Sequence, residues 1–271
     1  MSGTFGCIKS PIDLRDFKLN KKIICSVNYP ATFELPRPQK VKDQKQICSC
    51  TAHATSSILE YHDQGKTKLS TNFIYGIHRK LYGTSGPGMT LRDALKTVLK
   101  YGDMTYSDCP GNTEVDEVYS IANDAFSYKT KLETAAKFKI LKYARLNNED
   151  SIKYALMHYG PVLASVKWYS YTVNKETGYL TFDTSTKHGY HAIVIVGWDT
   201  NGWIIQNSWG RYWGKEGYCT IPYNLCPDEA YSIIDDSTVD STTVVSPTHN
   251  SKILNCVYKA LSAIANFINR K

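Results

Sequence analysis

The spacing of apolar positions changes character partway along the chain. Over residues 51–62, 72–82 and 90–101 apolar residues recur at intervals of three and four, as in Leu91, Ala94, Leu95, Val98 and Leu99, a period that predicts amphipathic helices. Farther on, β-branched and aromatic runs separated by glycine-containing turns take over. Residues 191–198 (HAIVIVGW), 203–206 and 218–221 therefore predict strands. A helical half followed by a strand-rich half predicts an α+β protein of two lobes packed side by side, with a cleft between them.

The two ends differ from this body. Residues 1–29 are basic and carry Pro11, with Pro30 just beyond them; they read as an N-terminal extension. Residues 235–251 (DDSTVDSTTVVSPTHNS) form a Ser/Thr-rich tether too polar to bury a core. Residues 252–271 then place Ile253, Val257, Leu261, Ile264 and Ile268 at helical spacing, with Arg270 and Lys271 at the end that favours cations. That amphipathic segment predicts either a helix packed on the body or in a dimer, or one lying on an anionic membrane surface. The chemistry is expected in residues 30–234.

Composition narrows the function classes. A chain of 271 residues with 42% apolar content can bury a core. No window approaches the roughly 20 apolar residues of a membrane-spanning helix, and residues 1–10 lack the apolar run of a secretory signal, which predicts an intracellular, cytoplasmic protein. The net charge of +7 sits at the ends: residues 1–46 hold nine basic and four acidic groups, and residues 252–271 four basic and none acidic. A body without a basic stripe argues against a nucleic-acid partner. Eight cysteines are too few for a disulfide scaffold, and Cys48-Ser49-Cys50 lacks the second ligand pair of a zinc site, so no metal or cofactor is expected.

Cys50 opens the first predicted helix, where the positive end of the helix dipole stabilises a thiolate. Gln44 lies six residues upstream; His191, within Gly189-Tyr190-His191-Ala192, and Asn207, within Gln206-Asn207-Ser208-Trp209-Gly210, lie 141 and 157 residues downstream. A nucleophile on a helix, with a His and an Asn on neighbouring strands, can meet across a two-lobe cleft. On these residues, and on NSWGRYWGKEGY at 207–218, the stretch 30–234 resembles the papain-like, cathepsin-type cysteine proteases.

The resemblance implies a papain-like two-lobe fold, with a helical lobe, an antiparallel β-barrel-like lobe and the active site between them. It also implies a thiol peptidase working on protein or peptide substrates through a thioester. Cys50 would be the nucleophile, held as a thiolate by the His191 imidazolium. Asn207 would orient His191 under the shield of Trp209, and Gln44 with the Cys50 N–H would form an oxyanion hole at about 3 kcal/mol per donor. Gly86, Gly88 and Met89 fall where the family holds substrate backbone, or else form an ordinary turn leading into a helix. Pro227–Ser232 falls near the second subsite. There Asp228 and Glu229 are expected to face solvent; at the floor they would favour basic side chains.

Some positions depart from the family. Ile47 replaces the cysteine that usually makes a disulfide beside the active site, and Thr51 replaces a tryptophan. Together with Asp13-Leu14-Arg15-Asp16, these features are more similar to the branch found in bacteria, archaea and large DNA viruses. Cys48 is expected as a packed thiol and His53 as a structural residue. Residues 1–29 read as a short pro-segment on or near the cleft, or as a permanent arm. Endopeptidase, exopeptidase, transpeptidase and a catalytically silent binding module all fit the same triad.

Overall fold

A computed structural model describes residues 5–14, 16–19, 24, 27–83, 86–111, 115–225 and 227–235, with the backbone of 244–245. The amphipathic segment 252–271 and most of the tether lie outside the described residues.

The helical lobe is built round α1 (Cys50–His62), buried from Cys50 through Glu60. Its small residues, Ala52, Ala54, Thr55, Ser56 and Ser57, leave no solvent stripe and let it pack on the sheet on one side and on helices on the other. The next helices are α2 (Thr71–Tyr82) and α3 (Leu91–Lys100). Ser70 Oγ accepts from Phe73 N–H and Thr90 Oγ1 from Asp93 N–H, so both start on side-chain caps. In α3 the row Leu91, Ala94, Leu95 and Val98 is buried as predicted, whereas Leu99 lies outside that face and is exposed. A further helix, α4 (Val115–Ser127), crosses α2 so closely that a Cβ on Gly76 would overlap Ala122.

The second lobe is a mainly antiparallel sheet. Its central strands are β6 (Val162–Trp168), β9 (Gly189–Trp198) and β10 (Gly202–Gln206); β11 (Tyr218–Pro222) flanks β10, and β12 (Glu229–Ile234) joins β6 to β5 (Lys142–Leu146). The predicted strands are all present, with β9 starting two residues early. Strand β9 is buried on both faces from His191 to Trp198, because α1 covers one face and α6 (Glu149–Tyr159) the other. The N-terminal arm also enters the architecture. Its β2 (Lys18–Leu19) pairs in parallel with β5 at Arg145, and Leu19 and Ile24 join the core under the sheet. Nearer the N-terminus, β1 (Cys7–Ile8) pairs in parallel with β4 (Met89–Thr90), on the helical lobe.

Candidate active site

Cys50 is the first residue of α1, and its buried face meets β9. His191 stands near the start of β9, opposite Val166, and Asn207 follows the end of β10, the strand alongside. Pairing of the two strands delivers the side chains to one another: His191 Nε2 lies 2.7 Å from Asn207 Oδ1. That bond places a proton on Nε2 and leaves Nδ1 as the basic nitrogen, which has no hydrogen-bond partner among the described residues. The Trp209 ring stacks on the imidazole at 4.8 Å and Trp168 meets it edge-on at 5.0 Å, keeping water from the bond. Gln44 is fixed from the same side. Its N–H donates to Ser208 O at 2.8 Å, its Oε1 accepts from Ser208 Oγ at 2.6 Å, and its Nε2 donates to Ile47 O at 2.9 Å.

Burial works against the ion pair that the resemblance implies. Cys50 and His191 are both fully buried. Burial pushes the Cys50 thiol up to about 11, against the pull of backbone amides at Ala192, Gly6 and Thr51. Burial likewise pulls His191 down to about 4, against its bond to Asn207. Both shifts oppose charge on the pair, because burial strips the solvation of either ion.

What excludes the water is residues 5–10 of the arm. Gly6 O accepts from Met89 N–H at 3.0 Å, and the Phe5 ring lies over Gly189 with its centroid 6.1 Å from that of His191. A Cβ on Gly6 would overlap the Cys48 carbonyl, so only glycine passes this close to the nucleophile's loop. Cys7 turns its thiol 3.2 Å from Ser165 Oγ, and Ser10 N–H donates to Glu229 Oε2 at 3.1 Å. Gly88, with φ +89°, comes so near that its Cβ would stand 2.6 Å from Gly6 O. Gly88 and Met89 therefore do meet an extended backbone, that of the arm. Gly86 does not join them; its carbonyl accepts from Arg79 Nη2 at 3.0 Å.

Glu229 corrects another expectation. It is buried rather than solvent-facing, since β12 register sets it beside Ser165 and its Oε1 accepts from Tyr231 Oη at 2.9 Å. His53 is structural as expected: its Nδ1 lies 3.0 Å from Ser49 O, and burial lowers it to about 4. Cys48 is a free thiol. A cavity of about 610 Å³ is bounded by Lys42, His53, Glu60 and Tyr106, and its walls do not include Cys50 or His191. Phe5, Gly6 and Trp168 were not singled out from sequence; the only local sign of the first two was their place in a short extension ahead of the body.

Comparison with known proteins bears on the same residues. The pattern of the "Papain family cysteine protease" matches residues 30–235, which spans both lobes and the Cys50, His191 and Asn207 positions. The chain belongs to the papain family of cysteine proteases. Within it, the chain is similar to an uncharacterized peptidase C1-like protein of Acanthamoeba polyphaga mimivirus, at 27% identity over 84% of each chain. Cathepsin O of Homo sapiens is 33% identical over 75% of this chain and 65% of its own length, and cathepsin K of Mus musculus 28% over 68% and 56%. The chain thus spans roughly half to two thirds of these cathepsins. Among solved structures, xylellain, a cysteine protease from Xylella fastidiosa, superposes with a TM-score of 0.71 at 26% identity, covering 86% of this chain and 96% of that one. Viral and bacterial relatives of the papain fold are thus among those it resembles, and its α+β two-lobe architecture is theirs.

Proposed function

We propose that the protein is a cysteine endopeptidase held latent by its own N-terminal arm. The observation that carries the reading is the His191–Asn207 bond with Nδ1 left basic beside a helix that begins on Cys50. With the arm withdrawn, water reaches the cleft and the thiol can pass its proton to His191 Nδ1, giving a thiolate and an imidazolium that stabilise each other. The thiolate attacks the scissile carbonyl of a protein or peptide. The oxyanion faces the Cys50 N–H and the Gln44 amide, which must turn a hydrogen toward it from Ile47 O. His191 protonates the departing amine, and a water molecule then hydrolyses the thioester, regenerating the thiol. Residues 5–10 lie on Met89 and over Cys50, where substrate backbone has to run, which supports latency. The test is turnover of a fluorogenic peptide library after arm removal, with and without an epoxysuccinyl thiol inhibitor. Inhibitor-sensitive turnover supports the reading; turnover indifferent to the inhibitor sinks it.

A further inference from the structure

The arm is two devices in one strand. Residues 5–10 fill the cleft. A root is built into the body at the described residues 16–19, 24 and 27–30: Asp16 and Arg92 are each only 4% exposed, and the Arg92 guanidinium grips the Asp16 carboxylate through Nε at 3.2 Å and Nη2 at 2.5 Å. Tyr231 Oη, whose proton goes to Glu229, stands 3.3 Å from the same carboxylate, and Arg145 Nη1 stands 3.7 Å away. Beyond it, Arg145 N–H donates to Phe17 O, Leu19 and Ile24 sit in the core, and Trp198 Nε1 donates to Pro30 O. Stripping the root would leave a buried guanidinium without its carboxylate and open a gap in the core. Between the two devices the chain crosses open surface: Ile12 is 85% and Leu14 71% exposed. The link closes in an exposed turn, with Asp16 N–H donating to Asp13 O at 3.2 Å, and exposed turns and loop tips are where proteases nick a folded chain.

We infer that the processing site of this protein is the Ile12–Leu14 link, so that the mature chain keeps residues 16–30 and loses only the segment that covers Cys50. This rests on the latency reading above. It places the cut well upstream of Tyr29–Pro30, where the body begins, and makes the root part of the enzyme. In the step itself, water adds across one peptide bond of the link, leaving a carboxylate on the plug fragment and an ammonium on the root. Any endopeptidase serves, a second, already opened copy of this chain included. The plug fragment then holds on through a two-residue strand, the Cys7 and Ser10 contacts and the bond from Arg92 Nη1 to Pro11 O, and leaves on dilution.

The test uses the full chain in two forms. One carries the recognition sequence of a site-specific protease in place of residues 12–14; the other carries it between Asn28 and Tyr29. Access to Cys50 is read as its alkylation rate by iodoacetamide, mapped by mass spectrometry and independent of turnover. Cutting the link is expected to raise that rate at least tenfold and to release the N-terminal fragment on gel filtration. Cutting at 28–29 is expected to leave residues 1–28 attached and alkylation slow. The inference is overturned if the second cut frees Cys50 as well as the first, or if the first leaves it protected. Rapid alkylation of the uncut parent would overturn the plug itself. A link-cut chain that alkylates fast yet hydrolyses no peptide would refute the peptidase reading and leave the processing site standing.

Discussion

Replacing Cys50 by Ala removes a single sulfur from a buried position and leaves the α1 backbone in place. C50A is expected to fold with an unchanged thermal midpoint and, once opened, to lose all but about a thousandth of its turnover; a residual above about a hundredth refutes the nucleophile. H191A should be nearly as silent, because the two act as a unit. Glu229 offers a subtler test. Opening removes its Ser10 donor and leaves the carboxylate beside Ser165 with Tyr231 still donating to it. A basic side chain at the substrate's second position should replace that donor, so E229Q is expected to lower kcat/KM for such peptides by about tenfold and to leave apolar ones unchanged. Equal losses on both would remove Glu229 from specificity. At this scale the sequence was legible where chemistry restricts residue type: a Cys at a helix start, a His and an Asn flanked by Gly and Trp. It placed Glu229 in solvent and passed over Trp168, because whether they face the cleft is decided by cross-strand register, and a shift of one residue reverses it.

Strand β1 is two residues long, and its fit depends on Gly6. G6A in the full chain is expected to expel residues 5–10, since the new Cβ would overlap the Cys48 carbonyl, and to raise iodoacetamide labelling of Cys50 without any cut. Labelling unchanged from the parent would show that the arm tolerates a side chain there and that the close approach does not hold it in place. The α2–α4 crossing gives a parallel test away from the cleft. G76A is expected to cost about 2 kcal/mol in chemical denaturation by forcing the helices apart, with the opened enzyme's rate unaffected. The helices at 50–62, 71–82 and 91–100 could be read from their period because each buries a whole turn-by-turn face. β1 could not, for a two-residue strand has no period, and its partner lies about eighty residues away. The arm's double nature was equally hidden: only the fold shows that Asp16 meets Arg92 and that Gly6 meets Met89.

For the molecule as a whole, buried histidines set a pH dependence, with His62 and His78 lowered by burial in the same direction as His53 and His191. Burial lowers both His53 and His191 from 6.5 to about 4, so between those values the unfolded chain takes up protons that the closed native chain refuses. Stability therefore rises with pH across that window and is lost as pH falls through it. The thermal midpoint of the full chain is expected to drop steadily from pH 7 to pH 4.5, and H53Q to show a shallower decline. A flat profile would mean that these rings are not held neutral. The same linkage favours the open arm in acid, since His191 gains its proton only when water reaches it. The two tryptophans that enclose His191 add an optical consequence. Trp168 and Trp209 sit within 5.0 Å of the imidazole, ring centre to ring centre, and the Phe5 ring meets it edge-on at 6.1 Å. Any event that charges or uncovers that ring changes the surroundings of both indoles at once. The protein thus carries a built-in fluorophore pair around His191, whose emission should report arm opening in real time, with no label attached and no substrate present.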